Sequence, residues 1–512
     1  MTGIRKVSPL CGEFGESPER GADWPESPGP VHNAGMQTQH SQASASLRPE
    51  AAPHLQTRKE CHAAGVKLRK SVRRGCHADW TTPAGRASPV AILATQGLTR
   101  IPDLLSVRYA RMKASPFAFL RGAAAVMAAD LAHTPTTGLT VQACGDCHLA
   151  NFGSYASPEG IPVFDINDFD ETLRAPFEWD IRRLGTSLVL AGLEGGLSDK
   201  AARLLSRDMT LTYAKEMTRL AGLSPLEIWT DRVDLVAAIA QFEDRKVREA
   251  VQAQLARRLD SARNHFGLVA DSGPAPSLRE RPPFVMRLPA HEDTIRQAFS
   301  RYVATQPAER AVLLDRYRLR DVVFKVVGIG SVGTFCAIGL FATADGETLL
   351  LQIKEAQESV LAPFTGPSCF HNQGERVVTG QRITQAVSDS FLGWTRSDGP
   401  QTDKGNAAPD LSGQGRQFYV RRLKDTRLAA IGSDSAQQGL ADYARLCGRT
   451  LARAHARSGD VATIAGYLGK GAAFADAISR FSAAYAKQTH RDWAVFTAAL
   501  KDNQLPAPSG PA

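Results

Sequence analysis

The sequence predicts an α+β protein of two lobes, a helical lobe first and a β-rich lobe after it. Residues 92–133 and the stretch from Phe177 to about Val269 carry apolar residues at helical spacing. The texture then changes: Val322 to Gly328, Phe335 to Phe341 and Thr348 to Ile353 are runs of β-branched and aromatic residues, joined by a glycine-rich turn and an Asp345-Gly346 hairpin signal. Helical patterning returns over Ala436 to Arg457 and Ala472 to Lys487.

Taken in order, residues 1–64 are rich in Gly, Pro, Ser, Gln and His and poor in aliphatic residues, so a disordered extension is expected, with the ordered body starting near Gly65. Residues 65–283 form the expected helical lobe. Within it, Pro135 ends the helix over Ala123 to Ala132, and Leu139 to Ala143 and Ile161 to Ile166 read as two short strands. Breaks are expected at Gly195-Gly196 and Ser224-Pro225, and Ser272 to Pro283 reads as a linker. Residues 284–428 form the β-rich lobe, with a helix over Gln373 to Phe391, a mobile loop over Arg396 to Arg416 and a strand over Phe418 to Leu423. Residues 429–500 supply helices that return to the first lobe, and 501–512 a flexible tail.

Composition excludes several classes. Hydrophobic content of 43% and charged content of 22% are those of an ordinary globular chain. No apolar run reaches transmembrane length, since even Ala114 to Ala132 is interrupted by Arg121 and Asp130; no membrane partner is expected. The 8 Cys are irregularly spaced, which points to a reducing cytoplasm rather than a disulfide framework. A net charge of +9 favours an anionic ligand. The basic run Lys67 to Arg74 reads as a solvated face, and with no zinc-finger or aromatic RNA-binding motif, nucleic acid is not an expected partner.

The chemistry-bearing stretch is Gly145-Asp146-Cys147-His148-Leu149-Ala150-Asn151, followed by Val163-Phe164-Asp165-Ile166-Asn167-Asp168. Phosphoryl transfer uses a carboxylate to orient or deprotonate an acceptor hydroxyl, and an amide and a carboxylate to hold Mg²⁺ on nucleotide phosphates. Asp146, Asn151 and Asp165 supply these three groups at the Asp-to-Asn spacing of a kinase catalytic loop. Cys144-Gly145-Asp146-Cys147-His148 is also a C-x-x-C-H string, as in covalent haem attachment. That reading needs export, and no apolar run follows Met1 to Pro9. A zinc site lacks a second ligand pair, so both cysteines read as small residues packed beside the loop.

Gly328-Ile329-Gly330-Ser331-Val332-Gly333 lies between two strands, where glycines let backbone N–H groups approach phosphate oxygens. Leu350 to Lys354 is a strand ending in a lysine suited to the same phosphates, with Glu375 in the next helix as the candidate ion partner and Glu355 and Glu358 as its rivals.

These motifs resemble the aminoglycoside and choline kinase-like phosphotransferases. In such folds the glycine flap and lysine precede the catalytic loop, whereas here they follow it. The resemblance therefore implies a protein-kinase-like two-lobed fold with permuted lobe order, and permutation is tolerated where old termini are close and exposed. Leu451-Ala452-Arg453-Ala454-His455-Ala456 resembles the helix that leads into the catalytic loop of small-molecule kinases. From about Gly65 to Asp492 the chain also resembles a bacterial family catalogued only as a domain of unknown function. The shared strings are Ser115 to Ala124, Gly145 to Gly153, Phe164 to Glu171, Pro176 to Asp180, Gly328 to Gly333, Leu351 to Ala356, Gly380 to Arg382 and Ala452 to Asp460. Arg174-Ala175 departs from that pattern at a turn.

The expected reaction is Mg-ATP-dependent phosphoryl transfer to a hydroxyl or amine of a small molecule or protein. Asp146 acts on the acceptor and His148 braces the loop. Asn151 and Asp165 hold Mg²⁺, and the acidic cluster of Asp168, Asp170 and Glu171 either holds a second Mg²⁺ or selects a cationic acceptor such as an amine. Gly328, Gly330, Ser331, Gly333, Lys354 and Glu375 hold the nucleotide. Asp180 fixes the loop backbone, and Arg121 faces the phosphates or the acidic cluster of Asp168, Asp170 and Glu171. The rival classes are a non-catalytic nucleotide-binding module, nucleotidyl transfer on the same clamp, and a metal-dependent hydrolase.

Overall fold

The computed structural model describes residues 56–157, 159, 161–253, 267–270, 276–326, 328–399, 413–423 and 436–506. The chain folds as mixed α+β. The first part consists of α1 (Arg58–Leu68), α2 (Pro89–Gly97), α3 (Leu105–Lys113), α4 (Pro116–Gly122) and α5 (Ala124–Leu131). Next come β1 (Thr140–Ala143), β2 (Phe152–Ala156), β3 (Pro162–Ile166) and β4 (Leu173–Pro176), then α6 (Phe177–Glu194) and α7 (Asp199–Ala221). The β-rich part holds β5 (Val285–Met286), α8 (Glu292–Ala304), β6 (Arg318–Lys325), β7 (Cys336–Ala342), β8 (Thr348–Glu355), α9 (Gln373–Thr384), β9 (Gly393–Arg396) and β10 (Gln417–Arg422). The last helices are α10 (Ala436–Ala456), α11 (Val461–Leu468) and α12 (Ala472–Lys501).

The six-stranded sheet is antiparallel throughout, in the order β5-β6-β7-β8-β10-β9. Strand alternation gives it two apolar faces. Val322, Phe324, Leu351, Ile353, Phe418 and Val420 pack with Phe299 and Tyr302 of α8, while Val323, Ile338, Leu340 and Leu350 pack with Leu278 and Val285. At the end of the sheet where β6 runs into the glycine turn, the second face turns polar. Register sets Lys354 opposite Tyr419 and Gln352 opposite Arg421, so these four side chains share that face. The predicted strands β1 and β3 do not pair with each other: β1 pairs with β4, and β2 with β3.

The helical part is built on α6, whose Phe177, Ile181, Leu184 and Leu188 are fully buried with Met209 and Tyr213 of α7, Leu451 of α10 and Ile478 and Phe481 of α12. Two expected boundaries move. α1 begins at Arg58, ahead of the start expected near Gly65, because Thr57 and Glu60 form a capping box that starts it without an apolar signal. The stretch expected as a linker, where described, buries Leu278 against the sheet. Most of the expected N-terminal extension, residues 400–412 of the expected mobile loop, 424–435 and 507–512 lie outside the described residues. Among the described residues, no helix is long and apolar enough to cross a membrane.

α1 is held on α11 by reciprocal close approach. A Cβ on Gly65 would lie 2.0 Å from the Thr463 carbonyl oxygen, and one on Gly466 would lie 2.1 Å from that of His62. Backbone on both sides leaves nothing to give way. Gly466→Ala is expected to destabilise the fold by about 1–3 kcal/mol in chemical denaturation, as overpacking does. Gly75→Ala, which meets nothing within 4 Å, is the control expected to leave the midpoint in place.

Candidate active site

The loop after β1 is fastened before it carries any chemistry. Asp180, in the first turn of α6, accepts hydrogen bonds from the backbone N–H groups of Cys144 (2.7 Å) and Gly145 (3.0 Å). Its carboxylate also lies 3.2 Å from Nε2 of His455, whose Nδ1 meets the Tyr213 hydroxyl at 2.9 Å. Gly145 has φ +83°, and a Cβ there would sit 2.3 Å from the Glu171 carbonyl oxygen, so only glycine lets the loop pass this close. Both Cys144 and Cys147 are buried beside it, and the Cys144 thiol donates to the Asp168 carbonyl at 3.4 Å.

Asp146 follows. Its Oδ1 accepts from Nε of Arg183 at 2.6 Å, one helical turn beyond Asp180 on the same face of α6. Burial pushes the Asp146 carboxyl up to about 7; the Arg183 guanidinium opposes the shift, and Asp168 and Glu171 add to it. His148 accepts the Ala150 N–H on Nδ1 at 3.2 Å and places Nε2 3.7 Å from Asp146 Oδ2. Asn151 donates its amide N–H to the Asp146 carbonyl at 2.7 Å, which commits the nitrogen and leaves the amide oxygen for a cation.

Asp165 is not part of this site. On β3, Phe164 and Ile166 face the core, and Asp165 takes the opposite face, where it is buried in an ion pair with Arg453 of α10. Its Oδ1 also accepts the Ile166 N–H at 2.9 Å. The carboxylate that reaches the cavity with Asp146 and Asn151 is Asp168, just past the end of the strand.

Lys354 is paired with Asp170 and stands 3.9 Å from Asp168 Oδ1. Burial works against its charge, but the two carboxylates outweigh it and raise the ammonium above its ordinary value. The helix partner expected for Lys354, Glu375, is in the first turn of α9 and does not line the cavity. Its neighbour Arg376 is the side chain of α9 that reaches this region, donating to the carbonyls of Thr172 (2.7 Å), Asp170 (2.8 Å) and Gln357 (2.7 Å).

The glycine turn is a single 3₁₀ turn over Ile329–Ser331. It is fixed to the N-terminal helices: Arg108 donates to the Gly330 carbonyl at 2.9 Å, Arg100 to that of Val332 at 2.7 Å, and the Ile101 N–H to that of Gly333 at 2.8 Å. A Cβ on Gly330 would be 3.6 Å from Asp146 Oδ2, so the turn lies directly over the catalytic-like loop. The Ser331 hydroxyl donates to Asp170 at 2.9 Å. Gly328, Gly330 and Ser331 line the cavity; Gly333, with φ +93°, instead lets the chain turn back against Arg100.

The result is a cavity of about 360 Å³. Its wall carries Arg100, Arg108, Arg111, Arg121, Lys325, Lys354 and Arg421 against Asp146, Asp168, Asp170 and Glu171, a positive excess suited to a polyanion. Arg121 packs its guanidinium over the Phe117 ring at 5.9 Å from the centroid. Sequence reasoning missed Arg183, Arg100, Arg108, Arg421 and Tyr419. Only Arg183 had a legible signal, its spacing from Asp180. Among the described residues, no group of three or more His, Cys, Asp or Glu is arranged to hold a metal ion by itself.

Asp165→Ala leaves the buried Arg453 charge uncompensated and is expected to destabilise by about 3–5 kcal/mol. Asp168→Ala leaves Lys354 its Asp170 partner and is expected to move the denaturation midpoint far less. Equal losses for the two variants would contradict this division of roles.

No curated protein and no solved structure matches the chain. The family described as an uncharacterized protein conserved in bacteria (DUF2252) matches residues 100–499, a span that contains the loop, the glycine turn, Lys354 and the clamping helix α10. The chain belongs to that family.

Proposed function

We propose that the protein is a Mg-ATP-dependent phosphotransferase with a kinase-like two-lobed architecture in permuted order. The observation that carries this reading is the convergence of Asp146, Asn151, Asp168 and Lys354 on one cavity under a glycine turn, from positions far apart in the chain. The parts of the sheet support it. Counted from β6, the glycine turn follows the first strand, the lysine ends the third, and a helix precedes the fourth. This is the order of glycine loop, strand lysine and following helix in kinases. The β-rich part follows the helical part here, hence the permutation.

The donor set fits Mg²⁺. The amide oxygen of Asn151 and the carboxylate of Asp168 are hard oxygen ligands, and Mg²⁺ takes one or two such groups together with substrate phosphates rather than an all-protein cage. Bound there, the ion would draw charge from the phosphate oxygens. Lys354 and the N–H groups of the turn hold the phosphates, and the arginines of the wall neutralise them. Asp146 takes the proton of the acceptor hydroxyl as its oxygen attacks the γ-phosphorus and the bond to the β–γ bridging oxygen breaks. A carboxyl raised to about 7 is matched to that proton near neutral pH. Arg183 and His148 hold it in place.

Titrating ATP with and without Mg²⁺ while following the melting temperature tests this. Binding at a hundredfold excess over the dissociation constant adds about 2.7 kcal/mol. The expected result is a Mg²⁺-dependent rise that Lys354→Ala and Asp168→Ala each abolish. No rise at millimolar ATP in the folded protein would overturn the proposal. The mass of the labelled product separates phosphoryl from nucleotidyl transfer.

A further inference from the structure

The helices α6, α7 and α12 close on one another at Gly185. A Cβ there would lie 2.5 Å from the Ser482 hydroxyl oxygen and 2.6 Å from that of Ser206, and the Ser206 hydroxyl donates to that of Ser482 at 3.0 Å. Further along α6, past Val189 and Leu193, a groove of about 910 Å³ lies between α7 and α12. Among the described residues it shares no lining side chain with the charged cavity. Its floor is apolar: Val189 and Leu193 come from α6, and Leu204, 45% exposed, comes from α7. On the α12 side the small Ala483 and Ala486 leave the space open.

The rim of this groove is cationic. Lys200, Arg203 and Arg207 of α7 line it, with Lys487 and His490 of α12. Arg207 is paired with Asp476 at 2.7 Å. Arg203 donates its Nε to the Ser479 hydroxyl at 3.3 Å, which leaves its two terminal nitrogens open. Among the described residues, neither Lys200 nor Lys487 has a carboxylate within ion-pair reach. The other acid of the rim, Asp199, sits in the first turn of α7, against the positive end of that helix.

Unpaired cations over an apolar floor complement a molecule with one anionic end and an apolar body. A second copy of the chain would bring the same cations against these. A bilayer surface needs apolar side chains that project, whereas Val189 and Ala486 are buried in the concavity. We infer that the groove binds a single fatty carboxylate. Its carboxylate is held by Lys200, Arg203 and Lys487, and its alkyl chain lies against Leu193, Leu204 and Ala483.

The test uses the full chain and decanoate below its micelle concentration, with decylammonium as the cationic control, followed by thermal shift and titration calorimetry without nucleotide. Decanoate is expected to raise the melting temperature and decylammonium not to. The double variant Lys200→Gln, Lys487→Gln, on exposed side chains, is expected to weaken decanoate roughly tenfold. Ala483→Phe, which fills the groove from a half-buried position, is expected to abolish its binding. Lys354→Ala, in the charged cavity, is expected to leave decanoate binding unchanged. Three results would overturn the assignment: decylammonium binding as tightly as decanoate, unchanged decanoate binding in the double lysine variant, or loss of decanoate binding in Lys354→Ala. Capture of the protein by phosphatidylglycerol vesicles through Lys200 and Lys487, without decanoate binding, would also overturn it and make the rim a membrane contact.

Discussion

The carboxylate of Asp170 joins the parts of the molecule. It receives Lys354 from β8, the Ser331 hydroxyl from the glycine turn and the Tyr419 hydroxyl (2.8 Å) from β10, while its backbone carbonyl accepts Arg376 from α9. Each of these groups belongs to the β-rich part; Asp170 belongs to the loop that leaves the catalytic-like hairpin. Desolvating a lysine at this depth is costly unless carboxylates and hydrogen bonds surround it. The ion pair therefore fixes where the open end of the sheet must sit against the helical body, and so fixes the cavity.

The same constraint explains the distribution of charge. Lys354 has two carboxylates near it, Asp146 is held by Arg183, and Asp165 by Arg453. Arg100 and Arg108 are tied to carbonyls of the glycine turn, so they position its backbone and add positive potential beside Glu171. Under the proposed function, a polyphosphate entering the cavity would meet preorganised donors, the condition under which electrostatic stabilisation of a transferring group is largest.

Much of this was legible in the sequence, and the exceptions have physical causes. The central strands were readable because β7 is buried on both faces and runs continuously apolar, and β8 does so over Leu349 to Leu351, with Asp345-Gly346 between them. Asp165 and Asp168 were not separable, since strand alternation and the turn after β3 decide which one reaches the cavity. Glu375 failed because Arg376 occupies the face of α9 that meets Asp170. α9 ends at Thr384, short of the expected Phe391, where Gln385 instead donates to the Ile166 carbonyl at 2.6 Å. α12 runs to Lys501, beyond the expected Lys487, because its polar residues are used inside: Asp492 and Asp130 share Arg86. Long-range pairs of this kind leave no periodic trace.

Under the proposed function, metal and phosphates bind between the catalytic-like loop and the sheet end. The most direct measurement is a crystal structure with a non-hydrolysable ATP analogue and Mn²⁺, read by anomalous scattering. The Mn²⁺ peak is expected between Asn151 and Asp168, with the phosphates against Lys354 and the turn at Gly330. A peak at Asp165, or a nucleotide bound outside this cavity, would contradict it.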